Sequence, residues 1–168
     1  MDQKLRQDRL VFYQGDIEQI SKVMREMISL SKAKCALLID KEGHLVAREG
    51  AVRSINTDSL AALVAGSFAA TREMASLLGE DEFSLMFHQG QRDNIQLTLV
   101  GDRAILTIIF DDQTQLGMIR LYTQEAAKQI NQIFEAGDSR GDDETEAFEL
   151  TGDFEDAGNA NLDSILKD

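Results

Sequence analysis

Apolar residues recur at helical spacing from Asp16 to Ser31, where Ile17, Ile20, Val23, Met24, Met27 and Ile28 share one side. This predicts a first helix, with Asp16 placed to cap it. The run CALLI between Lys34 and Asp40 is continuous, of strand length, and is followed after Lys41, Glu42 and Gly43 by a second strand-like stretch, His44 to Glu49, giving a hairpin. The segment Thr57 to Gly79 predicts a helix, with Asn56, Thr57 or Asp58 as cap and Gly79 as stop. Phe83, Leu85 and Phe87 then alternate with Ser84, Met86 and His88, and Ile95, Leu97 and Leu99 with Gln96 and Thr98. Two strands follow, each with a polar side. Gly101-Asp102 reads as a two-residue hairpin turn into AILTIIF, whose unbroken apolar character predicts a central strand. A last helix from about Thr114 to Phe134, with Asp111 or Asp112 as cap, closes the domain.

The order α-β-β-α-β-β-β-α predicts an α/β (α+β) sandwich. Its sheet has five mostly antiparallel strands, with one helix on one face and two on the other, so that the two continuous runs lie at its centre.

The middle helix is unusual, because no charge occurs between Asp58 and Arg72. At 100° per residue, Leu60, Leu63, Val64, Phe68, Met74 and Leu78 fall on one broad arc, and Ala61, Ala62, Ala65, Gly66 and Ala69 on the opposite one. The expectation is that the large residues cover a core and the small ones admit another backbone, making an interaction surface. Alanine filling idle surface is the plainer reading, but Gly66 is a poor filler, costing roughly 1 kcal/mol against alanine in a helix.

Composition changes this picture at one end. The 168-residue chain carries a formal charge of −13, of which residues 137–168 hold −9. We therefore expect a domain over 1–136, with a short N-terminal extension at 1–15, and an acidic flexible tail over 137–168. Within the tail GDSRGDDETE has the makeup of a solvated linker. Leu162, Ile165 and Leu166 fall on one side of a short terminal helix, which reads either as a tethered groove-binding segment or as plain solvated chain. The acidic balance argues against nucleic acid and acidic membranes as partners. No apolar run approaches the roughly 20 residues of a membrane span, and the first residues are too polar for a secretory signal. A single cysteine, Cys35, excludes a disulfide framework and fits a cytoplasmic setting.

Catalytic signatures are missing from the sequence. It contains no P-loop, no Cys-x-x-Cys and no His-x-x-x-His. His44 and His88 read as structural or solvated, Asp111-Asp112 as a cap and Cys35 as a packed thiol. These patterns favour a binding module without cofactor or metal over an enzyme.

Together with SLAALVAGSFAATREMASLLGEDEF, the following FHQG and VGDRAILTIIFDDQTQLGMIRL, this order of elements resembles the roadblock / dynein light chain family over about residues 10–135. Within it the likeness is strongest to the bacterial group that activates polarity and gliding-motility small GTPases. The resemblance implies a homodimer in which the strand near Phe83, Leu85 and Phe87 pairs across a two-fold axis and the alanine-rich helices lie side by side. It also implies one GTP-bound, Ras-superfamily small GTPase seated on those helices. Ala61, Ala62, Ala65, Gly66 and Ala69 would then be shared between dimer seam and platform. Hydrolysis would be stimulated by repositioning the GTPase's own catalytic residues, so that no residue of this chain is catalytic; Arg72, at the end of the small-residue face, is the candidate finger if that expectation fails. The implied setting is cytoplasmic, concentrated at a cell pole. An adaptor of the same fold that leaves hydrolysis unaltered is the competing function.

Overall fold

The computed structural model describes residues 14–165, with side chains from 14 to 141. Its elements are α1 (Gln14–Ser31), β1 (Cys35–Asp40), β2 (Leu45–Gly50), α2 (Thr57–Leu77), β3 (Leu85–Gln89), β4 (Asp93–Val100), β5 (Ala104–Asp111) and α3 (Leu116–Ile165). The strands form one antiparallel sheet in the order β2-β1-β5-β4-β3. The two continuous apolar runs, β1 and β5, are therefore interior neighbours, buried on both faces as their patterning requires.

Strand alternation splits the core into two layers. Ala36, Leu38, Leu106, Ile108 and Phe110 pack with Ile20, Met24 and Met27 of α1 and Ile119, Ala126 and Ile130 of α3. Leu37, Ile39, Leu97 and Ile105, on the opposite side, pack with Ala61, Val64 and Phe68 of α2. One helix thus serves one face and two serve the other.

Local chemistry sets the turns. Asn56 caps α2, its side chain accepting from the Ser59 amide at 3.1 Å. At the other end Gly79, at φ +74°, donates to the Ser76 carbonyl while Glu80 donates to Ala75, a Schellman closure. Gly101 and Asp102 both take positive φ (55° and 56°) and the Arg103 amide donates to the Val100 carbonyl at 3.1 Å, but Val100 pairs with Ala104, so three residues rather than the expected two join β4 to β5.

Four sequence expectations are corrected. Asp16 does not cap α1: the helix begins two residues earlier and Asp16 is buried inside its first turn. Neither Asp111 nor Asp112 caps α3, which starts at Leu116; the Asp111 carboxylate instead accepts from the Gln113 amide at 3.1 Å, a local turn ahead of the helix. The polar side of β4 does not face solvent. Gln96 and Thr98 lie opposite Ile108 and Leu106, are buried, and meet each other at 3.3 Å. Finally, α3 does not end near Phe134 but runs as helix to Ile165, through the segment expected as a linker. No proline interrupts it, and Gly137 and Gly141 each cost only about 1 kcal/mol against alanine.

The chain divides into two units, Met1–Phe134 and Glu135–Asp168. The first holds the sheet and all the packing described here. The side chains of Leu162, Ile165 and Leu166 lie outside the described residues, as does the N-terminal extension apart from Gln14 and Gly15.

Candidate interaction surface

The alanine-rich helix turns a different meridian to the sheet than sequence alone suggests. Its buried residues are Thr57, Ala61, Val64, Ala65, Phe68, Thr71 and Ala75. Ala61 and Ala65 are therefore core residues, and the expectation that they lie on a free small-residue face is corrected. The cause is close approach by the β1–β2 turn, where a Cβ on Gly43 would stand 3.1 Å from the Ala62 Cα and 3.5 Å from the Ala65 Cβ. Only small side chains fit beneath that turn.

What remains outside is a mixed face. Ala62, Gly66, Ala69 and Ala70 are exposed together with Leu63 (71%), Met74 (53%), Leu77 (87%) and Leu78 (71%). Four large apolar side chains at such exposure, on a helix with no charge from Ser59 to Thr71, form the kind of patch that marks interaction sites. Sequence reasoning placed Leu63, Met74 and Leu78 in the core and left Leu77 out. The available signal was the charge-free stretch itself, which identifies an apolar face without saying which residues make it.

The edge strand lies beside this face. β3 ends the sheet, so its outer backbone edge has no strand partner among the described residues. Phe83, Leu85, Met86 and Phe87 are each only half-buried. Phe87 stacks on Phe110 with centroids 6.1 Å apart, while Met86 reaches the other core layer and meets the Thr71 hydroxyl of α2 at 2.8 Å. That contact packs the inner side of α2 against the edge strand. The opposite edge strand, β2, carries Arg48 and Glu49, with Glu49 bound to Arg25 at 3.0 Å. Charge of this kind blunts an edge, whereas the apolar β3 edge is left open to pairing.

Arg72 is engaged. Its guanidinium donates to Glu82 at 3.1 Å and to Asp102 at 2.9 Å. Asp102 also accepts from the Lys41 ammonium. That hydrogen bond, with a smaller contribution from Arg72, holds the Asp102 carboxyl below its ordinary 3.8. Far along the sheet, Lys34 pairs with Asp93 at 2.6 Å, which raises its pKa.

His44 Nδ1 meets Asp40 at 2.9 Å, and Glu42 stands near enough to complete a metal-sized group. All three lie in the β1–β2 turn, where the second Asp40 oxygen accepts the Glu42 and His44 amides, so Asp40 is accounted for by turn closure. His88 is exposed. Burial pushes the Cys35 thiol up to about 11. Native protein at pH 8 is therefore expected to resist iodoacetamide, with alkylation appearing only on unfolding; rapid labelling of the folded chain would contradict this placement. No helix among the described residues is long and apolar enough to cross a membrane.

The fold defines a roadblock-type domain, and the chain belongs to the Roadblock/LC7 family, whose domain profile matches residues 19–110. Among solved structures it is similar to MglB from Myxococcus xanthus, at 39% identity and a TM-score of 0.72, over 76% of this chain and 96% of that one. It is also similar to the gliding protein MglB of Thermus thermophilus, at 35% identity and a TM-score of 0.71 with the same coverage. An MglB of tetrameric arrangement matches at 35% identity and a TM-score of 0.72, again over 76% and 96% of the two chains.

Proposed function

We propose that this chain is a homodimeric GTPase-activating protein for an MglA-like small GTPase, acting in the cytoplasm to confine that GTPase at one cell pole. The observation that carries this reading is an apolar α2 face together with a β3 edge that has no strand partner among the described residues, in a chain 39% identical to an MglB. Pairing of two β3 edges would extend the sheet across a two-fold axis and bring two α2 helices together. Ala62, Gly66, Ala69 and the leucines beside them then belong to the dimer seam and to the platform for one GTP-bound partner. The tail segment with Leu162, Ile165 and Leu166 is a further candidate for contact with the GTPase.

Activators often supply an arginine to stabilise transition-state charge. Arg72 already faces two carboxylates, and its withdrawal would break both ion pairs. This favours activation through the partner's own arginine and glutamine, with no catalytic group contributed here. The competing reading, an adaptor that binds the GTPase without changing its rate, predicts the same surface.

Single-turnover GTP hydrolysis by an MglA-like GTPase, with and without this protein at a ratio of about two to one, separates them. Strong acceleration that survives Arg72→Ala establishes an activator; binding without acceleration leaves an adaptor; absence of binding overturns the proposal.

A further inference from the structure

Packing of α2 weakens along its length. Its large core side chains, Val64 and Phe68, reach only to its middle, and beyond Phe68 only Thr71 and Ala75 are buried. The last turns, which display Met74, Leu77 and Leu78, therefore have little hydrophobic burial to orient them. An ionic tie is present at that point. Arg72 reaches back to Glu82, just ahead of β3, and across to Asp102 in the β4–β5 turn. The turn itself is a fixed post: Gly101 and Asp102 hold positive φ, and the Asn131 side chain of α3 presses on it so closely that a Cβ on Gly101 would collide with Asn131 Oδ1. Lys41 of the β1–β2 turn grips the same Asp102 carboxylate.

We propose that Asp102 is a positioning residue for the interaction surface: seated in the β4–β5 turn, it holds Arg72 and so sets where the last turns of α2 stand beside the β3 edge. This rests on the reading that the α2 face meets a partner. Asp102 acts on that face through Arg72. Asparagine tolerates the same left-handed backbone, so Asp102→Asn removes the charge and leaves the turn intact.

Amide hydrogen exchange on the full chain, as wild type, Asp102→Asn, Arg72→Gln and the double variant, tests this. Exposed ion pairs are individually weak, so each single variant is expected to exchange about three- to fivefold faster across residues 71–79 while β1 and β5 are unchanged. The double variant should go little further than Arg72→Gln, because that change already removes the tie to Asp102 along with the one to Glu82. High salt should reproduce the effect in wild type and add nothing to the double variant. In the GTPase assay the concentration giving half-maximal acceleration should rise by a similar factor. Additive effects, loss of protection across β1 and β5, or altered exchange with unaltered half-maximal concentration each overturn the proposal. Should the wild type fail to engage the GTPase, the proposed function falls, and the exchange pattern with self-association by sedimentation still decides what Asp102 positions: a faster 71–79 segment with weakened self-association supports it, and unchanged exchange rejects it.

Discussion

Gly66→Arg is expected to abolish association through α2 while leaving the protomer at least as stable as wild type. Gly66 is exposed near the middle of α2, and a Cβ built on it meets nothing within 4 Å. Arginine is the better helix former by roughly 0.8 kcal/mol, so the isolated fold should gain slightly. At an interface the same change sets a solvated cation where another backbone would have to approach. A buried unpaired charge costs about 3 kcal/mol or more, which corresponds to at least a hundredfold weaker binding. Sedimentation velocity for the dimer and a pull-down for the GTPase read the two contacts separately. Unimpaired self-association together with unimpaired GTPase binding would remove this helix face from both surfaces.

Gly50→Ala is expected to damage the fold itself severely. Gly50 ends β2 at φ +88°, outside the range that side-chain-bearing residues adopt comfortably. A Cβ there would lie 2.5 Å from the Lys34 carbonyl oxygen and 2.8 Å from the Cys35 Cα. Both are backbone atoms, and the Lys34 carbonyl accepts the Ala51 amide at 2.9 Å. Relief therefore requires the start of β1, a strand paired on both sides, to move. The conformational strain alone is about 1–3 kcal/mol, and the clash takes the total above about 3 kcal/mol, a large part of the roughly 5–15 kcal/mol that holds an ordinary domain. Urea unfolding should show the midpoint falling sharply with little change in slope. Gly66→Ala serves as the control: the open site should make it neutral or stabilising by roughly 0.5–1 kcal/mol.

These two glycines look alike in the sequence. One sits in a charge-free helix and the other at the end of a polar strand, and only the neighbouring backbone shows that the first can accept a side chain and the second cannot. The same division runs through the rest of the molecule. Periodicity was sufficient for the order of elements and for the interior position of β1 and β5, because a continuous apolar strand can be satisfied only between two covered faces. Local chemistry was sufficient for the Asn56 cap, the Gly79 closure and the Gly101-Asp102 turn, since each depends on residues within a few positions of itself.

Where several arrangements were locally equivalent, tertiary contact decided. A helix that is apolar all round cannot choose its buried side by its own periodicity, so the sheet and the Gly43 turn chose it. Ala61 and Ala65 went inward because only small side chains fit there, and Leu63, Met74, Leu77 and Leu78 were left outside. Gln96 and Thr98 alternate like solvent-facing residues, yet the layer of α1 and α3 covers them. Arg72, Asp102 and Lys41 are far apart along the chain, and only the turns at one end of the sheet bring them together. The sequence by itself determined the elements, the central strands and the presence of an apolar helix, because these follow from spacing and short-range hydrogen bonding. The face that helix offers, the place of β3 at the end of the sheet and the ionic tie at the helix's end were decided by the tertiary structure, because each depends on which distant segments the sheet places side by side.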